Sequence, residues 1–443
     1  MRAKICSRRV HVKSLSAKLE RAGVVGEARS LWHSLASAND CGGKGAFFDD
    51  GACHGEAGTE GMIGATYARK MWPILLTLPL AFAAPARAAE ASCVAPIVLG
   101  DGWKTADPQA SGLDAAALCA VLERVAGDAS NIHGVIVERH GRLVAELYRR
   151  GKDKSIWSLF TRETDFAPTV LHDLRSVSKS VVGLLVGIAR QQGKIDVAAS
   201  PLAHYPSYAD LHSPERDAIT VKHLLTMSSG LEWHESVTSY GTLANDETRL
   251  YWDWKPYRYV LSRPIVAKPG TQFNYNGGGT AVLADIVTRA TGTPLRDFAR
   301  TTLFEPLGIH EWEWVADPWR RPLAFAGLRM RPRDVAKIGR MVLAHGEWQG
   351  RQVVPADWVA ESLRPHIAAG DGLGYGYQWW TGTIDREGKT LAWSAGFGNG
   401  GQRLFIVPEL DLTVVITAGA YNDPQIRRAV TEIFRQIVAA VRS

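Results

Sequence analysis

The apolar pattern of this chain changes period twice, and that order limits its fold. Residues 132–148, IHGVIVERHGRLVAELY, alternate as two strands around His140-Gly141, a hairpin signal. From about 177 the periodicity turns helical or loop-like: 177–192 is a helix with an apolar run from Val181 to Ala189, 221–230 is a short helix ending at glycine, and 279–292 and 332–346 are amphipathic. After residue 375 the short runs YGYQWW, LAWSAG, QRLFIVP and LTVVITAG return to β before 426–441 closes as an amphipathic helix. Strands at both ends can share one core only by pairing across the sequence. The expectation is an α+β fold: an antiparallel sheet built from both ends, covered by terminal helices, with a mostly helical subdomain (about 183–330) inserted between. The first covering helix is read over 112–125, with Asp114 as its cap.

The first fifth of the chain reads differently. The net charge is +6, yet residues 1–88 alone carry 12 Lys+Arg against 7 Asp+Glu. The rest is almost balanced and has no basic stripe interleaved with aromatics, so nucleic acid is not an expected partner. Residues 41–61 are glycine-rich and without period. Arg69 and Lys70, an apolar run from Met71 to Ala84, and then Ala86-Arg87-Ala88 follow the charged, apolar, small-residue order of a secretory signal peptide. The run is too short to span a bilayer comfortably. The expectation is that residues 1–61 are a disordered upstream extension from a mis-assigned start, with Met62 or Met71 the biological one. A signal peptide then occupies 62–88, and a periplasmic or secreted domain spans 89–443 with no membrane anchor after cleavage. Of five cysteines, that domain keeps Cys93 and Cys119, which can pair in an oxidising compartment or remain as two free thiols.

Three stretches could carry chemistry. In HDLRSVSKSVVGLLVG (172–187), Ser176 and Lys179 form the one SxxK of the chain. Asp173 or Ser176 could simply cap the helix. Equally, residues three apart share a helix face. Burial among Val177, Val181, Val182, Leu184 and Leu185 would lower the lysine's pKa, and a neutral amine beside a hydroxyl can activate it as a nucleophile. In PGTQFNYNGGGTAVL (269–283), Tyr275 precedes a glycine triplet that opens a helix, a setting in which its hydroxyl could relay a proton. In WSAGFGNGGQRLFIV (393–407), Gly396, Gly398 and Gly401 spell GxGxxG, but a strand follows where dinucleotide binding needs a helix. These glycines suit a strand that substrate can approach, with amides available to an oxyanion. With no CxxC or HExxH and scattered histidines, neither a metal nor another cofactor is expected. The aromatic loop 231–262, which includes Trp233 and Tyr240, reads either as packing or as a substrate lid.

RSVSK, PGTQFNYNGGG and SAGFGNGGQ, in that order, resemble the three signatures of the serine β-lactamase and penicillin-binding-protein superfamily. The likeness covers about 100–443 and is nearest to the class C-related esterases and 6-aminohexanoate-dimer hydrolases. It implies Ser176 as acylated nucleophile, Lys179 as general base, Tyr275 as second proton-transfer group, and the backbone amides of Ser176 and Phe397 as oxyanion hole. It implies no cofactor and a small ester or amide substrate, with Asn276, Gly277, Ser394, Gly396, Trp233 and Tyr240 as candidate substrate contacts. Two positions depart from the pattern: Gly277 stands where Tyr-x-Asn has asparagine, and Ser394-Ala395-Gly396 stands where β-lactamases have Lys-Thr-Gly. Loss of that lysine favours esters or short amides. The alternatives are β-lactamase or D,D-carboxypeptidase activity, or a non-catalytic acyl- or cell-wall-binding protein of the same fold.

Overall fold

A computed structural model describes residues 95–442, all within the unit Ala83–Ser443. The expected extension, the signal peptide at 62–88 and Cys93 lie outside the described residues. Cys119 is disulfide-bonded.

The sheet strands at the N-terminal end are β1 (Lys104–Thr105), β2 (Ile132–Arg139) and β3 (Arg142–Tyr148), with helix α1 (Ala115–Gly127) between the first two. Asp114 caps α1 by accepting from the Ala117 N–H at 3.0 Å. The β2–β3 turn is His140-Gly141, both with positive φ (53° and 74°), which a tight hairpin requires. A ribbon of β4 (Arg150–Asp153) and β5 (Arg162–Asp165) follows, then the two-residue β6 (His172–Asp173).

Helix α2 (Val177–Gln191) begins directly afterwards. The middle of the chain adds α3 (Pro214–Asp217), α4 (Val221–Leu225), α5 (Asp246–Leu250), α6 (Pro256–Leu261), α7 (Gly277–Thr291) and α8 (Leu295–Ala299). Strands β7 (Trp312–Trp314) and β8 (Leu328–Met330) then pair antiparallel, and β8 also pairs with β6. Past α9 (Pro332–Leu343), a small ribbon of β9 (Glu347–Trp348) and β10 (Arg351–Gln352), and α10 (Ala356–Leu363), the remaining strands return to the main sheet. These are β11 (Ile367–Gly370), β12 (Leu373–Tyr375), β13 (Trp380–Arg386), β14 (Lys389–Gly398), β15 (Gln402–Val407) and β16 (Leu412–Ala418); α11 (Ile426–Ala439) ends the chain.

The main sheet has nine strands in the order β1-β3-β2-β16-β15-β14-β13-β12-β11. The N-terminal hairpin pairs with the last strand, Val137 opposite Val414, so the two ends of the chain do share one sheet. All its pairings are antiparallel except the short β1–β3 edge. Alternation along β15 sends Leu404 and Ile406 into one core with α2, α7 and α9, and Phe405 and Val407 into the other with α1 and α11.

Helix α2 is buried on every side from Val177 to Ala189. Its two glycines explain how neighbours reach it. A Cβ on Gly187 would lie 2.1 Å from Cδ1 of Trp358, and one on Gly183 would lie 2.8 Å from the Tyr377 carbonyl oxygen. Trp358 Nε1 donates to the Gly183 carbonyl at 3.0 Å, which fixes α10 against α2.

Candidate active site

Ser176 stands at the start of α2, and its hydroxyl makes no capping bond. The cap reading of this serine, and of Asp173, is therefore corrected. Asp173 is buried and paired with Arg329 at 2.6 Å and Arg175 at 3.3 Å. Arg175 carries a positive φ of 50°, a conformation rare for a side-chain-bearing residue. It is held by the Lys154 carbonyl (2.6 Å) and by stacking over Tyr421 (4.2 Å). Such a strained turn persists only where its surroundings over-determine it; here it presents Ser176 partly exposed.

Lys179 lies one turn along, 1% exposed. Its Nζ donates to Ser176 Oγ (3.0 Å), to the Phe325 carbonyl (3.0 Å) and to Glu247 Oε2 (3.3 Å), and lies 3.7 Å from Glu235 Oε1. Three acceptors match the three protons of an ammonium. Burial alone lowers this lysine's pKa, but Tyr275, Glu247 and Glu235 outweigh it and hold the pKa above its ordinary value. The expectation from burial, a lysine neutral at rest, is corrected: carboxylates that no spacing rule connected to α2 keep it charged. Glu247 is itself pushed well up, by burial and by Glu235 beside it. Glu235 accepts from the Gly277 N–H (2.6 Å), Trp233 Nε1 (2.8 Å) and the Tyr240 hydroxyl (3.3 Å). Lysine and two glutamates thus form one buried cluster beside Ser176.

Tyr275 completes the cluster. Burial raises the pKa of its hydroxyl, and the Lys179 charge and Ser176 oppose that. Lys179 Nζ sits 4.9 Å from the ring centroid. Trp380 is sandwiched between Tyr275 (5.7 Å, 27°) and Phe397 (5.5 Å, 20°), which ties the tyrosine to β14. β13 pairs with β14 only as far as Ala395, so Gly396–Gly398 presents an edge that β13 does not cover. A Cβ on Gly396 would lie 3.1 Å from Val177, and one on Gly398 would lie 2.4 Å from the Leu174 carbonyl. Phe397 therefore runs past the turn that carries Ser176, where the two backbone amides can face one oxyanion.

The candidate substrate contacts divide. Gly396 is buried on β14, where an added Cβ would lie 3.1 Å from Val177. Ser394 is buried in β14, opposite Thr381 and Ile406. Asn276 does not replace the missing asparagine: its Oδ1 caps α7 by accepting from the Gly279 N–H at 2.8 Å. Gly277 gives its amide to Glu235. Trp233 is buried against Gly278 and donates to Glu235, as Tyr240 does, so this part of the aromatic loop packs on the Lys179 cluster. Trp252 and Trp254 are exposed. Sequence reasoning missed Glu235, Glu247, Trp380 and Arg403, whose guanidinium lies over Phe397 at 4.4 Å. The one available signal was three glutamates, Glu232, Glu235 and Glu247, in an aromatic-rich loop, and linear spacing does not aim two of them at Lys179.

The β-lactamase family profile matches residues 122–433, and the chain belongs to that family. It is a hydrolase of that family related to 6-aminohexanoate-dimer hydrolases and esterases. The 6-aminohexanoate-dimer hydrolase of Paenarthrobacter ureafaciens is 28% identical over 311 residues, 66% of this chain and 73% of that protein. Esterase EstB of Burkholderia gladioli is 30% identical over 229 residues, 48% of this chain and 56% of that one. A β-lactamase/D-alanine carboxypeptidase from Pseudomonas syringae shares the fold, with a TM-score of 0.54 and 18% identity over 73% of this chain and 98% of that chain.

Proposed function

We propose that this protein cleaves a small ester or amide through an acyl-Ser176 intermediate. The observation that carries the reading is Lys179 Nζ, buried and 3.0 Å from a partly exposed Ser176 Oγ. Lys179, whose pKa is held above its ordinary value, must first release a proton. The neutral amine then takes the hydroxyl proton as Oγ attacks the carbonyl carbon. The amides of Ser176 and Phe397 stabilise the oxyanion, and Tyr275 gives a proton to the departing alcohol or amine. Water, deprotonated by Lys179 and Tyr275, releases the acid and restores Ser176. Serine at position 394, in place of the lysine that holds a carboxylated substrate, supports esters and short amides over β-lactams. Export by the 62–88 segment belongs to the same proposal, and N-terminal sequencing of secreted protein tests it.

A fluorophosphonate probe is expected to add its mass to the peptide containing Ser176. Lys179→Ala is expected to abolish turnover of p-nitrophenyl acyl esters. No adduct on that peptide, together with hydrolysis surviving Ser176→Ala, would overturn the assignment. A panel of short acyl esters, 6-aminohexanoate dimer, D-amino acid amides and nitrocefin then names the acyl group.

A further inference from the structure

A second cluster of titratable groups lies outside the active site. His133 on β2, Asp153 at the end of β4 and His172 on β6 bring one ligand atom each within 4.8 Å of one another. Both imidazoles are fully buried, and Asp153 is half-buried. The hydrogen-bond partners fix the tautomers. His172 Nδ1 faces the Asp173 carbonyl oxygen at 2.9 Å, an acceptor only, so this nitrogen carries the proton. His133 Nε2 faces Asn131 Oδ1 at 3.1 Å. The Asn131 amide cannot be reversed, because its Oδ1 accepts from the Lys152 N–H (2.9 Å) and its Nδ2 donates to the Lys152 carbonyl (2.6 Å). His133 therefore carries its proton on Nε2.

The two remaining nitrogens, His133 Nδ1 and His172 Nε2, lie 2.8 Å apart with a lone pair on each. Two neutral rings in these tautomers repel at that distance; the arrangement calls for a cation between them. The outer N–H of each ring rests on a carbonyl-type oxygen, the support that metal-bound histidines use to fix ring orientation. The Tyr421 hydroxyl orients Asp153 from 2.7 Å, and Phe166 walls the site by stacking on His133 at 4.1 Å.

We propose that His133 Nδ1, His172 Nε2 and an Asp153 carboxylate oxygen bind a divalent transition-metal ion of the zinc class. Two imidazoles and one carboxylate suit zinc in charge and softness. At metal–nitrogen bonds of about 2.0–2.1 Å, tetrahedral binding spreads the rings by roughly half an ångström. The reading from linear motifs, which expected no metal, had no means of joining residues on three separate strands. β6 runs on through Asp173, Leu174 and Arg175 to Ser176, and the ring that orients Asp153 also carries Arg175. The ion would pin the β4 ribbon and the strand before the nucleophile turn to the sheet, away from the reacting atoms.

The test uses the untagged full-length chain, stripped with a chelator, desalted, and titrated with Zn²⁺ or Co²⁺. The wild type is expected to retain one more equivalent of Zn²⁺ than Asp153→Asn or His133→Asn, and its Co²⁺ form to show the visible bands of four-coordinate nitrogen–oxygen ligation that both variants lose. Circular dichroism checks that the variants fold. Ser176→Ala is expected to keep the equivalent, so failure of this site and failure of the hydrolase reading are seen separately. Equal Zn²⁺ content and Co²⁺ spectra in wild type and both variants would sink the proposal. So would a metal-free wild type with a single proton shared between the two rings in its NMR spectrum.

Discussion

Gly277 and Glu247 compete for one space: a Cβ on Gly277 would lie 2.7 Å from Glu247 Oε2, 3.0 Å from Glu235 Oε2 and 3.4 Å from Lys179 Nζ. The missing Tyr-x-Asn asparagine is thus replaced by carboxylates arriving from another part of the chain. Gly277→Asn is expected to displace Glu247 and lower kcat on a p-nitrophenyl ester by about tenfold or more. Adding Glu247→Ala should recover part of the loss, because the asparagine amide then has room beside Lys179; strictly additive effects in the double-mutant cycle would count against this exchange.

Glu247 also sets the charge on Lys179. Its carboxylate helps hold the lysine's pKa up, so Glu247→Gln lowers that pKa. If the neutral amine is the working base, the rise of kcat/KM with pH moves to lower pH in this variant. A pH–rate profile superimposable on that of the wild type would remove Glu247 from the proton path.

Tyr275→Phe keeps the stack on Trp380 but loses the hydroxyl, whose pKa Lys179 and Ser176 help lower. Steady-state kinetics should show kcat lower by about 10²-fold or more with KM nearly unchanged, the range for general acid–base groups. A change confined to KM would make Tyr275 a binding residue.

Glu138 links stability to pH. Burial raises its carboxyl from 4.5 to about 7, and its Oε1 accepts from the Gly141 N–H at 2.7 Å. Between these values the folded state holds more protons than the unfolded one, so stability falls as pH rises through that window, by up to about 3 kcal/mol. Glu138→Gln is expected to raise Tm at pH 8 and to leave it unchanged near pH 4. Equal Tm values at pH 8 would show that the ionised carboxylate is tolerated.

Gly187→Ala would drive a methyl into the Trp358 indole, already 2.1 Å from an added Cβ. Overpacking of this kind costs roughly 1–3 kcal/mol. Urea denaturation should show a lower midpoint at constant m-value; wild-type stability would mean that α10 shifts freely away from α2.

Much of this protein was legible from local rules. The hairpin at His140-Gly141, the Asp114 cap, α2 with Ser176 and Lys179 on one face, Gly292 ending α7 and the closing β-meander all follow from period and turn chemistry, which act over a few residues. Sequence by itself therefore determined the element order, the α+β class and the position of the serine and lysine. Tertiary structure alone decided what surrounds them. Glu235 and Glu247 meet Lys179 across 56 and 68 residues of chain, Asn276 is spent on a cap, and His133, Asp153 and His172 converge from three strands. The physical reason is that charge and desolvation act through space: the protonation of a buried lysine depends on which carboxylates the fold presses against it, and no periodicity along the chain encodes that.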